Sequence, residues 1–293
     1  MPSLSPKTIL RRLGLRPKKS WGQHFLLHPH QARRLAEALE LGPGAVVVEI
    51  GGGLGALTVF LAKQAHRLVV LERDPALAEF LRAELVPHHP CLEIVCQDVL
   101  TFDFLKLRQD AGRVLEVAGN LPYQITSPLL FKLIQEKAAI SRAVLMMQQE
   151  VGDRLLAGPG TKDYGIVTVL LQYHFQLTRL FSLSPANFYP PPQVASVVLR
   201  LVTRQDGPQA QDEALLSRVV KAAFAKRRKT LQNTLVAQSA AFGLPPEEIR
   251  AALTALNIDP GRRGETLSVP QFVALSNRLA EKRRERVGGI SNQ

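Results

Sequence analysis

Apolar and polar positions alternate in blocks along most of the chain. AVVVEI, residues 45–50, is apolar almost throughout and stops at glycines, which predicts a strand buried on both faces. RLVVLE (67–72), LEIVCQD (92–98), RVLEVA (113–118) and SRAVLMMQ (141–148) repeat that pattern. Between them, QARRLAEALEL, ALTVFLAKQA, ALAEFLRAEL and SPLLFKLIQEKAA carry apolar residues three and four apart and predict helices from residues 31, 56, 76 and 127. Strands alternating with helices imply a parallel sheet covered on both faces, a doubly wound α/β domain. Such sheets bind ligands beyond the carboxyl ends of their strands, so the informative residues should follow each strand.

The character changes after LSPANFYPPPQVASVVLRLV, residues 183–202. RQDGPQAQDE (204–213) is polar and rich in turn formers, as a linker is. In LLSRVVKAAFAKRRKTLQNTL the apolar residues at 215, 216, 219, 220, 223, 224, 231 and 235 keep a helical period. PPEE (245–248) opens another helix, and LSVPQFVALSNRLAEKR (267–283) gives a third. The chain thus divides into an α/β domain over residues 1–203, led by a basic N-terminal arm, and a small α-helical domain over 204–293.

Charge adds a partner to this picture. The 293 residues carry a formal net charge of +12. Residues 200–293 hold 16 Lys/Arg against 9 Asp/Glu, a net +7, and residues 1–199 hold 21 against 16, a net +5. An excess of that size points to a polyanion, most simply nucleic acid. KRRK, read as lying on a helix, and the pair at 262–263 make Lys226, Arg227, Arg228, Lys229, Arg262 and Arg263 the candidate phosphate contacts. KRRER at 282–286 fits a solvated tail equally well. Eight Lys/Arg precede the first acid, Glu37, which suits a mitochondrial transit peptide or a basic arm for nucleic acid. The arm is favoured, because KKSWGQHFL (18–26) has the look of a functional segment and leaves only 17 residues before it. No apolar run is long enough to span a membrane, so a cytoplasmic, soluble protein is expected. Cys91 and Cys96 make no disulfide framework, and HHPC (88–91) lacks a second pair at zinc spacing, so no metal site is expected. Cys96, within LEIVC, reads as a buried strand thiol.

EIGGGLG, residues 49–55, follows the first of these strands. Glycines let the backbone turn sharply and approach a ligand, and the next helix offers free N–H groups at its start. Glu72, at the end of the next strand, is placed to accept hydrogen bonds from two ribose hydroxyls. Gly51, Gly53 and Ala56 also fit the dinucleotide pattern G-x-G-x-x-A. A methyl donor of the S-adenosylmethionine type would instead use an acid before the glycines, here Glu49, and one after a later strand, here Asp98, for its adenine amine. On this loop alone a methyl donor, a nicotinamide and a structural turn all remain open.

GNLPYQITSPLL, residues 119–130, separates them. An adenine exocyclic amine is a poor nucleophile, because its lone pair is delocalised into the ring. Two acceptors aimed at its hydrogens help localise that pair. Asn120 offers a side-chain oxygen, and Leu121 offers a carbonyl held extended by the following Pro122. Tyr123 offers a face on which an extruded base can stack.

At this point the sequence resembles the ribosomal RNA adenine dimethyltransferases that modify small-subunit rRNA. The resemblance runs through KKSWGQHFL, VVEIGGGLGALT, VLERD, QDVL, GNLPYQITSPLL, MMQQEVGDRL, PANFYPPPQVASVVLRL, AFAKRRKTLQNTL and RRGETLSVPQF, roughly residues 18–280. It implies a Rossmann-like S-adenosylmethionine-dependent methyltransferase domain followed by a small helical domain. It implies cofactor contacts at His24, Leu26, Gly51, Glu72, Asp98 and Asn120, and base contacts at Asn120, Leu121, Tyr123 and Phe188. The substrate it implies is two adjacent adenosines of small-subunit rRNA within a pre-ribosomal particle, each methylated twice by a monomeric enzyme. The alternatives are a large-subunit rRNA methyltransferase, and a non-catalytic assembly factor or mitochondrial transcription factor on the same fold. Two departures stand out: His24 where the family usually has Asn, and Gly52 where it usually has Pro, a change expected to loosen the loop.

Overall fold

The computed structural model describes residues 5–226 and 228–290. The chain divides into two compact units, Met1–Gly152 with His174–Thr203, and Asp153–Tyr173 with Arg204–Gln293.

The first unit is built on a seven-stranded sheet. Its strands, with a two-residue pair outside it, are β1 (Phe25–Leu26), β2 (Val46–Ile50), β3 (Arg67–Glu72), β4 (Leu92–Cys96), β5 (Leu115–Asn120), β6 (Ile140–Gln148), β7 (Phe175–Leu183), β8 (Phe188–Tyr189) and β9 (Ser196–Thr203). The sheet order is β4-β3-β2-β5-β6-β9-β7. The five strands from β4 to β6 are parallel, whereas β9 runs antiparallel to both β6 and β7. The sheet is therefore mixed, and β7, whose residues are mostly half-buried or exposed, closes one edge without an apolar run to announce it. The chain reverses direction of travel between β2 and β5, the switch point at which doubly wound sheets open a crevice.

Local sequence explains the helices that flank this crevice. Asp74 caps Pro75–Leu85 by accepting from the Ala76 amide, and Pro75 occupies the first turn, where a missing N–H costs nothing. Asp103 caps Phe104–Ala111, and Gly112 ends it in the left-handed region. The segment after the glycine loop is shorter than its period suggests, with only Thr58–Leu61 helical. β2 and β3 are buried nearly throughout, and Val47, Leu68 and Val70 join Leu35, Leu61 and Leu81 in one core cluster.

The second unit is helical, with Glu213–Ala223, Leu231–Val236, Ser239–Phe242, Pro246–Ala255 and Val269–Ile290. It takes in residues 153–173, so it differs from a domain beginning at 204. Tyr164 packs on Phe224 (centroids 6.2 Å apart), the Gly160 amide donates to the Glu265 carbonyl, and the Ala210 amide donates to the Tyr173 hydroxyl. That stretch holds a helix of its own, Ile166–His174, outside the predicted ones, and its membership shows in these contacts. Among the described residues no helix is long and apolar enough to cross a membrane.

Candidate cofactor and base site

Four neighbouring strands end on the same side of the sheet. In the spatial order β4, β3, β2, β5 they deliver Asp98, Glu72, Glu49 and Asn120. A cavity of about 1040 Å³ opens over these ends, large enough for a nucleoside-sized ligand with room beside it. His24, Leu26, Glu49 and Gly51 line it, as do Gly53, Glu72, Asp98 and Asn120, so every predicted cofactor residue meets in one place.

The glycine loop is held by one carboxylate. Gly51 and Gly53 sit at φ +77° and +55°, where a side chain is strained. Glu72 accepts from the Gly53 amide and from the Asp74 amide, both at 2.8 Å, and so ties the loop to β3. Burial raises the Glu72 carboxyl above its ordinary value, and those backbone donors oppose the rise. Glu49 is 1% exposed. Burial pushes its carboxyl up to about 8; Thr58 works against that and the charge of Glu72 adds to it. One Glu49 oxygen, Oε2, is buried without a hydrogen-bond partner. Asp98 accepts from the Leu100 amide at 2.9 Å, and its other oxygen lies 3.5 Å from Arg73. The expected loosening at Gly52 is not found. A Cβ there would fall 2.5 Å from Val70 Cγ1 and 2.7 Å from Leu81 Cδ1, so the loop lies tight on the sheet.

The side of the crevice beside Asn120 is assembled from three segments. β1 pairs antiparallel with β8, Phe25 opposite Tyr189 and Leu26 opposite Phe188. The Asn120 amide nitrogen donates to the His24 carbonyl at 2.9 Å, which leaves its Oδ1 as the atom free to accept from a ligand. His24 donates from Nδ1 to the Pro190 carbonyl at 2.6 Å, and its ring lies 5.6 Å from that of Tyr123. His24 thus braces the arm, the asparagine loop and the Tyr189-Pro190 segment together. The Leu121 amide donates to the Met146 carbonyl, which carries the strand register one residue past β5. Tyr123 is half-buried with its hydroxyl 3.2 Å from Ser196 Oγ, and burial holds the phenol above its ordinary value while Ser196 opposes.

Several expectations are corrected. Of the predicted base contacts only Asn120 lines the cavity: Leu121 is 1% exposed, Phe188 is 2% exposed and packs in the core with Leu26 and Leu183 because β8 turns it inward, and neither they nor Tyr123 are among its lining residues. Cys96 is exposed, since β4 is an edge strand with only alternate residues covered. Lys226, Arg228 and Lys229 are not helical: the helix stops at Ala223, and Thr230 caps the next one by accepting from the Asn233 amide. Lys226, Arg228 and Lys229 are exposed on that connecting loop, while Arg227 lies outside the described residues. The Leu231 amide donates to the Arg262 carbonyl, which brings the 260–263 turn against the end of this loop. Arg263 is exposed, but Arg262 donates to Thr266 and braces its own turn. The sequence also left Trp21 without a role and passed over Arg73, yet both line the cavity.

The fold is Rossmann-like, and the family match makes its class a methyltransferase. The family model described as ribosomal RNA adenine dimethylase matches residues 14–281, and the chain belongs to that family. Ribosomal RNA small subunit methyltransferase A of Geobacter metallireducens is 44% identical over 272 residues, 92% of this chain and 98% of its own. The protein of the same name from Myxococcus xanthus is 45% identical over 278 residues, covering 94% and 95%. Among solved structures, a dimethyladenosine transferase from Plasmodium falciparum matches with TM-score 0.75 and 23% identity, over 88% of this chain and 98% of that one. The 23S rRNA methyltransferase ErmE matches with TM-score 0.66 and 27% identity, over 87% and 99%.

Proposed function

We propose that this protein transfers methyl groups from S-adenosylmethionine to the N6 amines of two adjacent adenosines in small-subunit rRNA, giving N6,N6-dimethyladenosine. We take it to act as a monomer on a pre-ribosomal particle in the cytoplasm. The observation that carries the reading is the row Asp98, Glu72, Glu49 beside Asn120 at four adjoining strand ends. A nicotinamide dinucleotide would bring its diphosphate to three acids, and the Gly53 amide that could hold it is already taken by Glu72. A cofactor with a sulfonium and an ammonium suits those acids. The residues present therefore fit S-adenosylmethionine: Asp98 for the purine amine, Glu72 for the ribose hydroxyls, and Glu49 with its unpaired oxygen toward the positive charge.

When bound, that cofactor supplies an electrophilic methyl group. The protein's part is to hold the acceptor amine in line and dry. Asn120 Oδ1 and the Leu121 carbonyl accept the amine hydrogens, which localises the nitrogen lone pair as it becomes tetrahedral. Tyr123, its ring plane set by Ser196 and His24, offers the face for the base. No strong base is needed, because the nitrogen becomes acidic once methylated. Lys226, Arg228, Lys229 and Arg263, with Arg227, supply phosphate contacts. The 44–45% identity to small-subunit methyltransferases over nearly the full chain favours that substrate over the large-subunit one of the 27% identical ErmE.

The test is incubation of the protein with labelled methyl donor and unmodified small-subunit particles, followed by nucleoside mass spectrometry. Dimethyladenosine in the rRNA is expected. Bound cofactor without that product would favour a non-catalytic assembly factor.

A further inference from the structure

Trp21 is the one tryptophan in the chain, and its surroundings are unusual for a packing anchor. The ring is half-buried and lines the cavity. Two cationic heads face it: Lys18 Nζ lies 4.2 Å from the ring centroid, and the Arg73 guanidinium carbon lies 5.1 Å away. Both cations are tethered. Lys18 pairs with Asp74 at 2.8 Å, and Gln23 links the two by accepting from the Lys18 amide and donating to the same Asp74 oxygen. Arg73 reaches Asp98 at 3.5 Å, and the Asp74 amide donates to Glu72. The arm segment 18–23 is therefore pinned to the residues just after β3, and Trp21 stands within one side chain of Asp98.

A flat heteroaromatic ring with an exocyclic amine needs a carboxylate at its edge and planar groups on its faces. Indole and guanidinium are both such groups, and both stack on purines. The Asp98 contact to Arg73 is long, so a purine amine can take over that oxygen without breaking a tight ion pair. We propose that Trp21 and Arg73 form the wall against which the purine of the methyl donor lies, making the arm part of the cofactor site through Trp21. The inference rests on the methyl-donor reading above and adds a residue to it.

Because Trp21 is the only indole, its emission reports on this wall directly. The full-length protein is titrated with S-adenosylhomocysteine and followed by tryptophan fluorescence and, in parallel, by calorimetry. Both should saturate at one dissociation constant. Trp21→Ala should raise that constant about tenfold, and Trp21→Phe should recover most of the loss. Calorimetric binding with unchanged emission would overturn the proposal and leave the methyl-donor reading standing. An emission change produced by RNA alone, with none from S-adenosylhomocysteine, would assign Trp21 to the nucleic acid and likewise overturn it. No calorimetric binding at all would bring down the underlying reading. A Trp21→Ala protein that fails to fold leaves the wild-type titration as the deciding measurement.

Discussion

The carboxyl end of the sheet gathers acids and the loops of the helical unit gather bases, in opposite settings. At the sheet, Glu49 and Glu72 are 1% and 6% exposed and are fixed by strands and backbone amides. In the helical unit, Lys226, Arg228, Lys229 and Arg263 stand exposed on loops. Buried acids are costly unless something positive arrives, so they select one small cation with defined geometry. Exposed bases cost little and attract any polyanion, with range and rate rather than precision. Changes at the first region should therefore alter chemistry or cofactor affinity in large steps, and changes at the second should alter RNA affinity in graded, salt-dependent steps.

The sharpest break is Asn120→Ala. It removes an acceptor needed only as the amine becomes tetrahedral, so turnover should fall on the order of 10² to 10³-fold. The fold should survive, since the lost hydrogen bond to the His24 carbonyl is worth about 1 kcal/mol. Single-turnover methylation and a melting curve check the two halves, and near-normal turnover would remove Asn120 from the mechanism. Next comes Glu72→Gln. One of the Gly53 and Asp74 amides would then face an N–H instead of an oxygen, and the cavity would lose a charge. Cofactor dissociation constants should rise by about 10- to 100-fold in calorimetry. RNA affinity measured without cofactor should not move.

Why the first region was legible in the sequence and the second less so follows from the same contrast. Glu49, Glu72, Asp98 and Asn120 each sit at or just past the end of a strand, and strand ends show as the close of an apolar run. A parallel sheet then forces those ends together. β7 and β9 were harder, because an antiparallel pair at a sheet edge is covered on fewer sides and β7 mixes exposed and buried residues. Phe188 shows the limit of motif reading: an aromatic at the right place in the chain is turned into the core by strand alternation. KRRK shows another. Apolar spacing ran from Leu215 to Leu235 with a gap over 225–230, and the Thr230 cap inside that gap starts a new helix.

The second region is tested by Lys226→Gln, Arg228→Gln and Lys229→Gln together. Affinity for a small-subunit rRNA fragment should drop roughly tenfold at physiological salt, and the slope of log K against log salt should shrink by about 2. Cofactor affinity should stay as in the wild type. An unchanged salt slope would mean that these three cations do not meet phosphates.

The smallest effect belongs to Glu49, the one acid of the row with an unpaired oxygen. With its carboxyl held at about 8, the free folded protein keeps Glu49 protonated at pH 7, whereas the unfolded chain ionises it near the ordinary 4.5. Between those two values the folded state holds the extra proton. Its contribution to stability is thus fully present below 4.5 and falls as pH rises toward 8, by no more than about 1.4 kcal/mol per unit. A cation in the cavity reverses the preference and favours the ionised form. Cofactor affinity should therefore rise as pH climbs, by about fivefold from pH 7 to 8, since the ionised fraction grows from roughly a tenth to a half. Glu49→Gln should flatten both dependences, leaving melting temperature and dissociation constant nearly level across that window. A wild-type dissociation constant that does not change between pH 7 and 8 would separate Glu49 from the cofactor and leave Glu72 and Asp98 as the acids that meet it.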